Sequence, residues 1–401
     1  MERYLRKKVI KDLKTICCFF IFCSFIFQNC VSNHSDVTKE ELSAILTDDI
    51  KIFVNKSIPY ELLDVLGNKK VVIFGECHRV KEHQELAGKL MIALNKDYNF
   101  NQIFLEWAQT LSWIFEEDMQ ENPKIYPYNK YYRILTDRIS SYNQKNANNR
   151  IVVKCLDYNP NDRIYRDSLS LMTLHLARTT KIDKIVADIK ELKGKAYTDY
   201  LENLHKDLSL YKDEYVNDLS LKYYSYVKIM TVVEIESINI RSLFKESNKK
   251  GFIARENLLK KLADQFISEN SGNTMIYIGN YHSQKKRYMG TNQEWLGDYL
   301  SHISPITKNN AFCLHNTGVK GTHWNSSTKK YENFSTLDSS SKNEIFRITN
   351  ELVGNQVCFI PLADIFFDNN NINVCYIKTQ LSIPIKKQYD GYILFPQLTT
   401  F

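Results

Sequence analysis

Three apolar runs in this chain end on an acid or a histidine, and those ends carry its chemistry. Val71-Val-Ile-Phe-Gly-Glu-Cys-His78 delivers Glu76 and His78, Ile103-Phe-Leu-Glu106 delivers Glu106, and Met275-Ile-Tyr-Ile-Gly-Asn-Tyr-His282 delivers His282. A histidine with an oriented carboxylate can take a proton from water and turn it into a nucleophile. His78 is the candidate base, and Glu76 or Glu106 would fix its tautomer as the acid of a catalytic triad does. His282 would protonate the leaving group or share the base role. Arg255 would donate to a developing oxyanion or a substrate carboxylate, or form an ion pair with one of the motif acids. The same Glu76, His78, Glu106 and His282 are N/O donors suited to zinc, manganese or iron, although the chain holds no HExxH helix. Glu256 reads as a helix-surface residue or an ion-pair partner, and Asp157 as a strand-end cap or a site residue. Cys77, between Glu76 and His78, is a nucleophile or a packing residue. His175, His205, His302, His315 and His323 sit in no comparable context.

Short β-branched and aromatic runs bounded by breakers predict buried strands at 71–75, 102–106, 151–156 and 274–279, with others at 309–316 and 389–396. Gly75 is expected to turn the chain so that Glu76 and His78 project from the strand end. Leu86, Leu90 and Leu94 recur at helical spacing over 81–95. Helical patterns dominate 162–270, and 317–345, rich in Ser, Thr, Asn and Lys, reads as a variable loop. Strands alternating with helices predict an α/β fold. It would be a mainly parallel central sheet flanked by helices, with a large helical insertion over the sheet at about 111–250. In such sheets ligands bind outside the carboxyl ends of the strands, where all three motifs end.

The N-terminus sets the expected compartment. Arg3, Arg6, Lys7, Lys8, Lys11 and Lys14 precede an apolar run over 16–27, and Cys30 follows. A basic segment before a short apolar one predicts an export signal over 1–30. The run is short for a permanent span. Cys30 stands where a bacterial lipoprotein is cleaved and acylated, so the protein is expected to be exported and membrane-anchored on the non-cytoplasmic side. An uncleaved N-terminal anchor and plain secretion are the alternatives. A polar leader over 31–64, with a short helix near Lys39–Ile45, then precedes a single domain over 65–401. Six of the 53 Lys and Arg and two of the 46 Asp and Glu lie in the first 30 residues; the rest carries 47 against 44, a net +3. No Arg-rich stripe or aromatic-basic module for nucleic acid is present. Four of the nine cysteines lie before residue 31. The other five are widely spaced with no CxxC pair, which excludes a dense disulfide scaffold or zinc ribbon; Cys155 and Cys358 read as core residues.

Gly75-Glu76-Cys77-His78, Phe104-Leu105-Glu106, Arg255-Glu256, Gly279-Asn280-Tyr281-His282 and Tyr389-Asp390-Gly391 follow one another in this order. The series resembles the erythromycin esterase superfamily over about 68–110 and 250–400. That group is similar to the ChaN-like haem-binding uptake proteins, which share the Gly-Glu-x-His opening. The esterases have two residues between the motif Glu and His, where only Cys77 stands here. They also place a second histidine at the position of Gly279. ChaN-like proteins place a histidine that can reach haem iron at the position of His83; on periodicity alone His83 is a helix-surface residue. The esterase resemblance implies metal-independent hydrolysis with no resident cofactor; haem or a divalent metal is the alternative.

Two classes of function therefore stand beside each other. One is an exported hydrolase that uses His/Glu-based water activation on an ester, lactone or related bond. The other is a surface lipoprotein that binds haem or another small ligand without turnover. A member whose site survives only as structure is a third.

Overall fold

The computed structural model describes residues 38–118, 132–176, 179–286, 293–325, 328–335, 344–369, 373–375 and 382–401. The predicted signal over 1–30, with Cys30, lies outside the described residues. The chain builds an α/β fold around a mixed, mostly parallel nine-stranded sheet. In chain order its strands are β1 (Lys51–Ile52), β2 (Val71–Glu76), β3 (Phe100–Ala108), β4 (Val152–Asp157), β5 (Asn273–Gly279), β6 (Ala311–Asn325), β7 (Lys330–Ser335), β8 (Cys358–Pro361) and β11 (Gly391–Leu398). A separate two-stranded ribbon pairs β9 (Asn373–Cys375) with β10 (Ser382–Pro384). The sheet order is β1-β8-β11-β6-β2-β5-β3-β4, with β7 paired to β6. From β11 to β4 every neighbouring pair is parallel. β8 and β1 add an antiparallel edge.

Burial on both faces explains the apolar runs, because a parallel strand covered on both sides has no polar face. Val72 and Phe74 of β2 point into one core with Met275 and Tyr277 of β5. Val71 and Ile73 point into the other with Ile276 and Ile278. The first core is capped by the helix Lys81–Tyr98, which buries Leu86, Leu90 and Leu94, and by most of the insertion. The second is capped by the helices Asn248–Ser268 and Leu296–His302. Deleting one of these side chains to alanine costs about 2–5 kcal/mol.

Strand order creates the site. From β2 the chain crosses through Lys81–Tyr98 to β3, leaving a gap that β5 fills; from β5 it crosses through Leu296–His302 on the opposite face to β6. The connections thus leave β2 and β5 toward opposite faces and open a crevice at their carboxyl ends. Register places Glu76 opposite Gly279, and Leu105, one residue before Glu106, opposite Tyr277. The insertion is helical at Ser112–Asp118, Arg133–Lys145, Asp162–Leu176, Thr180–Ile189, Gly194–Leu210 and Lys212–Glu246, and it also supplies the edge strand β4. Beyond β4, Asn159 is tied to fully buried Glu234 at 2.7 Å, and Arg241 bonds both Glu234 and the Asn159 carbonyl.

Three local expectations change. The segment 31–64 is no separate leader from Lys39 onward. Thr38 and Glu41 form a capping box for the helix Lys39–Asp49, which buries Leu42 and Leu46, and β1 extends the sheet through β8. The stretch read as a loop at 317–345 is largely a hairpin, because β6 runs on to Asn325 and turns back into β7. Its polar residues suit an arm whose two faces are not both covered. Gly75 does not turn the chain, since β2 continues through Glu76. The turn is made by Arg79, in the left-handed region at φ 66°. Gly75 is needed for close approach instead: a Cβ there would meet Ser283 Oγ at 2.3 Å and Asn280 Oδ1 at 2.6 Å.

Candidate active site

The carboxyl ends of β2, β3, β4 and β5 and one helix bring eight polar side chains together, and Tyr132 joins them. Glu76 is the last residue of β2 and is 4% exposed. Its Oε1 lies 2.8 Å from His78 Nδ1, and its Oε2 accepts a 2.6 Å hydrogen bond from the Tyr277 hydroxyl on β5. His78 is the open member of the group, with 44% of its side chain exposed. Glu106, near the end of β3, accepts from the Gly279 amide at 2.8 Å and from Arg255 Nη2 at 2.5 Å. His282 Nε2 is 3.3 Å from the same carboxylate. A Cβ on Gly279 would lie 3.0 Å from His78 Cε1, 3.1 Å from its Nε2 and 3.2 Å from Glu106 Oε2. The imidazole of His78 and the carboxylate of Glu106 therefore both lie over a residue that has no side chain. The Tyr132 hydroxyl donates to the Glu106 carbonyl at 2.9 Å, and its ring packs edge-on against Tyr277.

The helix Asn248–Ser268 supplies the other wall. Arg255 reaches Asp157 with Nε at 2.8 Å and Nη2 at 2.6 Å, and Glu106 with Nη2. Its guanidinium thus binds two acids of the site. Glu256 is 1% exposed and pairs with His282 Nδ1, so of its two expected roles the ion-pair partner holds and the helix-surface position does not. That His282 is the partner is what the sequence reading missed. A signal was present: Glu256 continues the buried stripe of Leu259, Ala263 and Phe266 at helical spacing. Asp157, held open between a cap and a site role, ends β4 against Arg255 and also accepts from the Tyr158 amide.

Four carboxylates surround one guanidinium and two imidazoles, so the electrostatics favour protonated histidines. The surrounding protein disfavours the His78 imidazolium, but Glu106 and Glu76 outweigh that and raise its pKa to about 9. Burial also opposes the charge on His282, yet Glu256 and Glu106 on either side raise its pKa to about 10. Burial alone would push Glu106 upward; His282, Arg255 and His78 hold it well below the usual carboxylate range. A raised histidine and a lowered acid across one contact are the two halves of the same attraction.

The remaining candidates lie apart from this cluster. Cys77 donates its amide to His83 Nδ1 and accepts at sulfur from Asn280 Nδ2 at 3.4 Å. Burial and then Glu76 push its thiol up to about 12, which leaves it no thiolate near neutral pH. His83 is fully buried against Phe395, at the inner face of its helix rather than at its expected surface position. Burial, then neighbouring His315, lower its pKa to about 3. Among the described residues no group of three or more His, Cys, Asp or Glu is disposed to hold a metal ion. Cys155 and Cys358 are fully buried, and with Cys77 and Cys313 they are free thiols. No helix among the described residues is long and apolar enough to cross a membrane.

No family model matches the chain, and no curated protein sequence matches it. Solved structures do. A Bacillus cereus protein superposes with a TM-score of 0.66 at 14% identity, over 91% of this chain and 98% of that one. A succinoglycan biosynthesis protein gives a TM-score of 0.66 at 13% identity, over 90% and 98%. A histidine mutant of the erythromycin esterase EreC, in its open conformation, gives 0.60 at 14% identity, over 84% and 93%. At such identities the likeness is one of fold: the chain has the α/β architecture that the erythromycin esterase EreC has.

Proposed function

We propose that this protein is a hydrolase that activates water with His78 and attacks an ester, lactone or related bond of a small molecule. The observation that carries this reading is the Glu76–His78 pair. A buried carboxylate, itself held by a tyrosine, orients the one imidazole of the cluster that reaches solvent. With Nδ1 turned to Glu76, Nε2 is left for water. Neutral His78 takes a proton from water as the hydroxide adds to the carbonyl carbon. The bond from that carbon to the leaving oxygen then breaks, and the departing alkoxide takes the proton back from the imidazolium. Arg255 and protonated His282 hold Glu106 ionised, and Glu106 stabilises the positive charge that His78 gains in the first step. Arg255 therefore acts through the acids it binds rather than on the substrate. No metal ion or haem is needed for these steps. The export signal and acylation at Cys30 complete the proposal, placing the enzyme on the non-cytoplasmic side of a membrane.

Turnover of activated esters such as p-nitrophenyl acetate tests the proposal. His78→Ala and Glu106→Gln should each lower kcat by about a hundredfold to ten-thousandfold with the fold retained. Groups that act as one unit are not additive, so the double variant should be little worse than the poorer single. A wild-type protein without turnover of any ester or lactone, but which binds haemin with a Soret band, would instead favour the ligand-binding reading.

A further inference from the structure

Tyr277 is fully buried in the middle of the sheet, and its hydroxyl is placed with care. The ring stacks on Phe74 at 5.6 Å and meets Tyr132 edge-on at 5.9 Å, so its direction is set by packing on two sides. It stands one strand over from Glu76 and two residues before Gly279, and its OH donates to Glu76 Oε2 at 2.6 Å. A carboxylate at a strand end can rotate about its last bond; tying one oxygen to a rigid phenol sends the other in a fixed direction. That direction is toward His78 Nδ1. We infer that Tyr277 is a positioning residue: it holds Glu76 so that the free carboxylate oxygen orients His78 and shares its proton. The inference deepens the role proposed for His78 and rests on it for its effect on rate, but not for its effect on titration.

The phenol also takes up part of the carboxylate's charge. Burial and the adjacent Glu76 raise the Tyr277 pKa well above its usual value, so it stays a donor. If the phenol is lost, the charge of Glu76 falls on His78 alone. His78 then gives up its proton at higher pH. The other groups that face the pair are Glu106 and His282, with Cys77 and Tyr132 beside Glu76. None of them changes when the hydroxyl is removed.

The test is Tyr277→Phe, which keeps the ring and both of its aromatic contacts. Imidazole NMR of the full-length protein should show the His78 titration midpoint moving up by about half a pH unit or more. The ester kcat near neutral pH should fall by about tenfold or more, the scale of one hydrogen bond to a charged group, with KM little changed. The lost rate should partly return at high pH. Phe104→Leu is the control: it loosens the core on the opposite face of the sheet and leaves Tyr277, Phe74 and Tyr132 in place, so the His78 titration should not move. An unmoved His78 midpoint in Tyr277→Phe, or the same shift in Phe104→Leu, overturns the positioning role. The NMR arm reads even if no ester is turned over, which separates failure of this inference from failure of the proposed hydrolase.

Discussion

Arg255 grips Asp157 with two nitrogens, Nε at 2.8 Å and Nη2 at 2.6 Å, across 98 residues of sequence. Both side chains are 14% exposed, and the same guanidinium bonds Glu106. The contact joins the helix Asn248–Ser268 to the ends of β3 and β4, and it is the one permanent positive charge among four acids. Arg255→Ala would leave buried acids without that charge. It should destabilise the protein by about 3–5 kcal/mol, the cost of removing one partner from a buried pair. Urea unfolding checks this; a variant as stable as the wild type would show that His78 and His282 suffice to balance the acids.

The rate should depend on pH through His78. The base must be neutral, and its pKa of about 9 keeps most of it protonated at neutral pH. The ester kcat/KM should therefore rise about tenfold per pH unit from pH 7 and level off near pH 9. A profile that is flat above pH 7 would take the base role away from His78.

Stability should run the other way. The pKa of His282 is raised from 6.5 to about 10 in the folded state. Its stabilisation is whole below the unfolded value of about 6.5 and is lost as pH climbs through that of the folded state. Across this window each pH unit costs up to about 1.4 kcal/mol for this buried group. The Tm should fall from pH 7 to 10, and His282→Gln, less stable overall, should show a flatter decline.

Gly279 is the floor under both His78 and Glu106. A methyl group there would sit 3.0 Å from the imidazole, and the exposed ring is the part able to give way. Gly279→Ala should therefore fold with nearly wild-type stability and lose about a hundredfold in kcat, the scale of a misplacement of about 1 Å. Equal activity in the two proteins would mean that the His78 position does not govern the reaction.

Cys77→Ser should be nearly silent in turnover, because a thiol with its pKa near 12 supplies no nucleophile. Loss of activity in that variant alone would transfer the attack from water to sulfur.

At the N-terminus, labelled palmitate fed to the producing cells should enter the wild-type protein and not Cys30→Ser. Equal labelling of both would end the lipoprotein proposal.

The amino-acid sequence alone determined the elements and where their chemistry would stand. Parallel strands buried on both faces must be continuously apolar, so β2, β3, β4 and β5 are legible as runs, and the polar residue that ends each run is legible as a strand-end side chain. Glu76, His78, Glu106 and His282 were found that way. The partners were decided only by tertiary structure. β5 enters the sheet between β2 and β3 after nearly 200 residues, and this puts Tyr277 on Glu76 and the Gly279 amide on Glu106. No local period carries that order. The pairing of Glu256 with His282 depends on how far the helix Asn248–Ser268 is rotated over the second core. His83 shows the reverse case: a polar residue on a helix reads as exposed, but its ring is enclosed against Phe395 and accepts from the Cys77 amide. Hydrogen-bond partners are chosen among groups that packing brings within about 3 Å, and packing of distant segments is not written in the spacing of near ones.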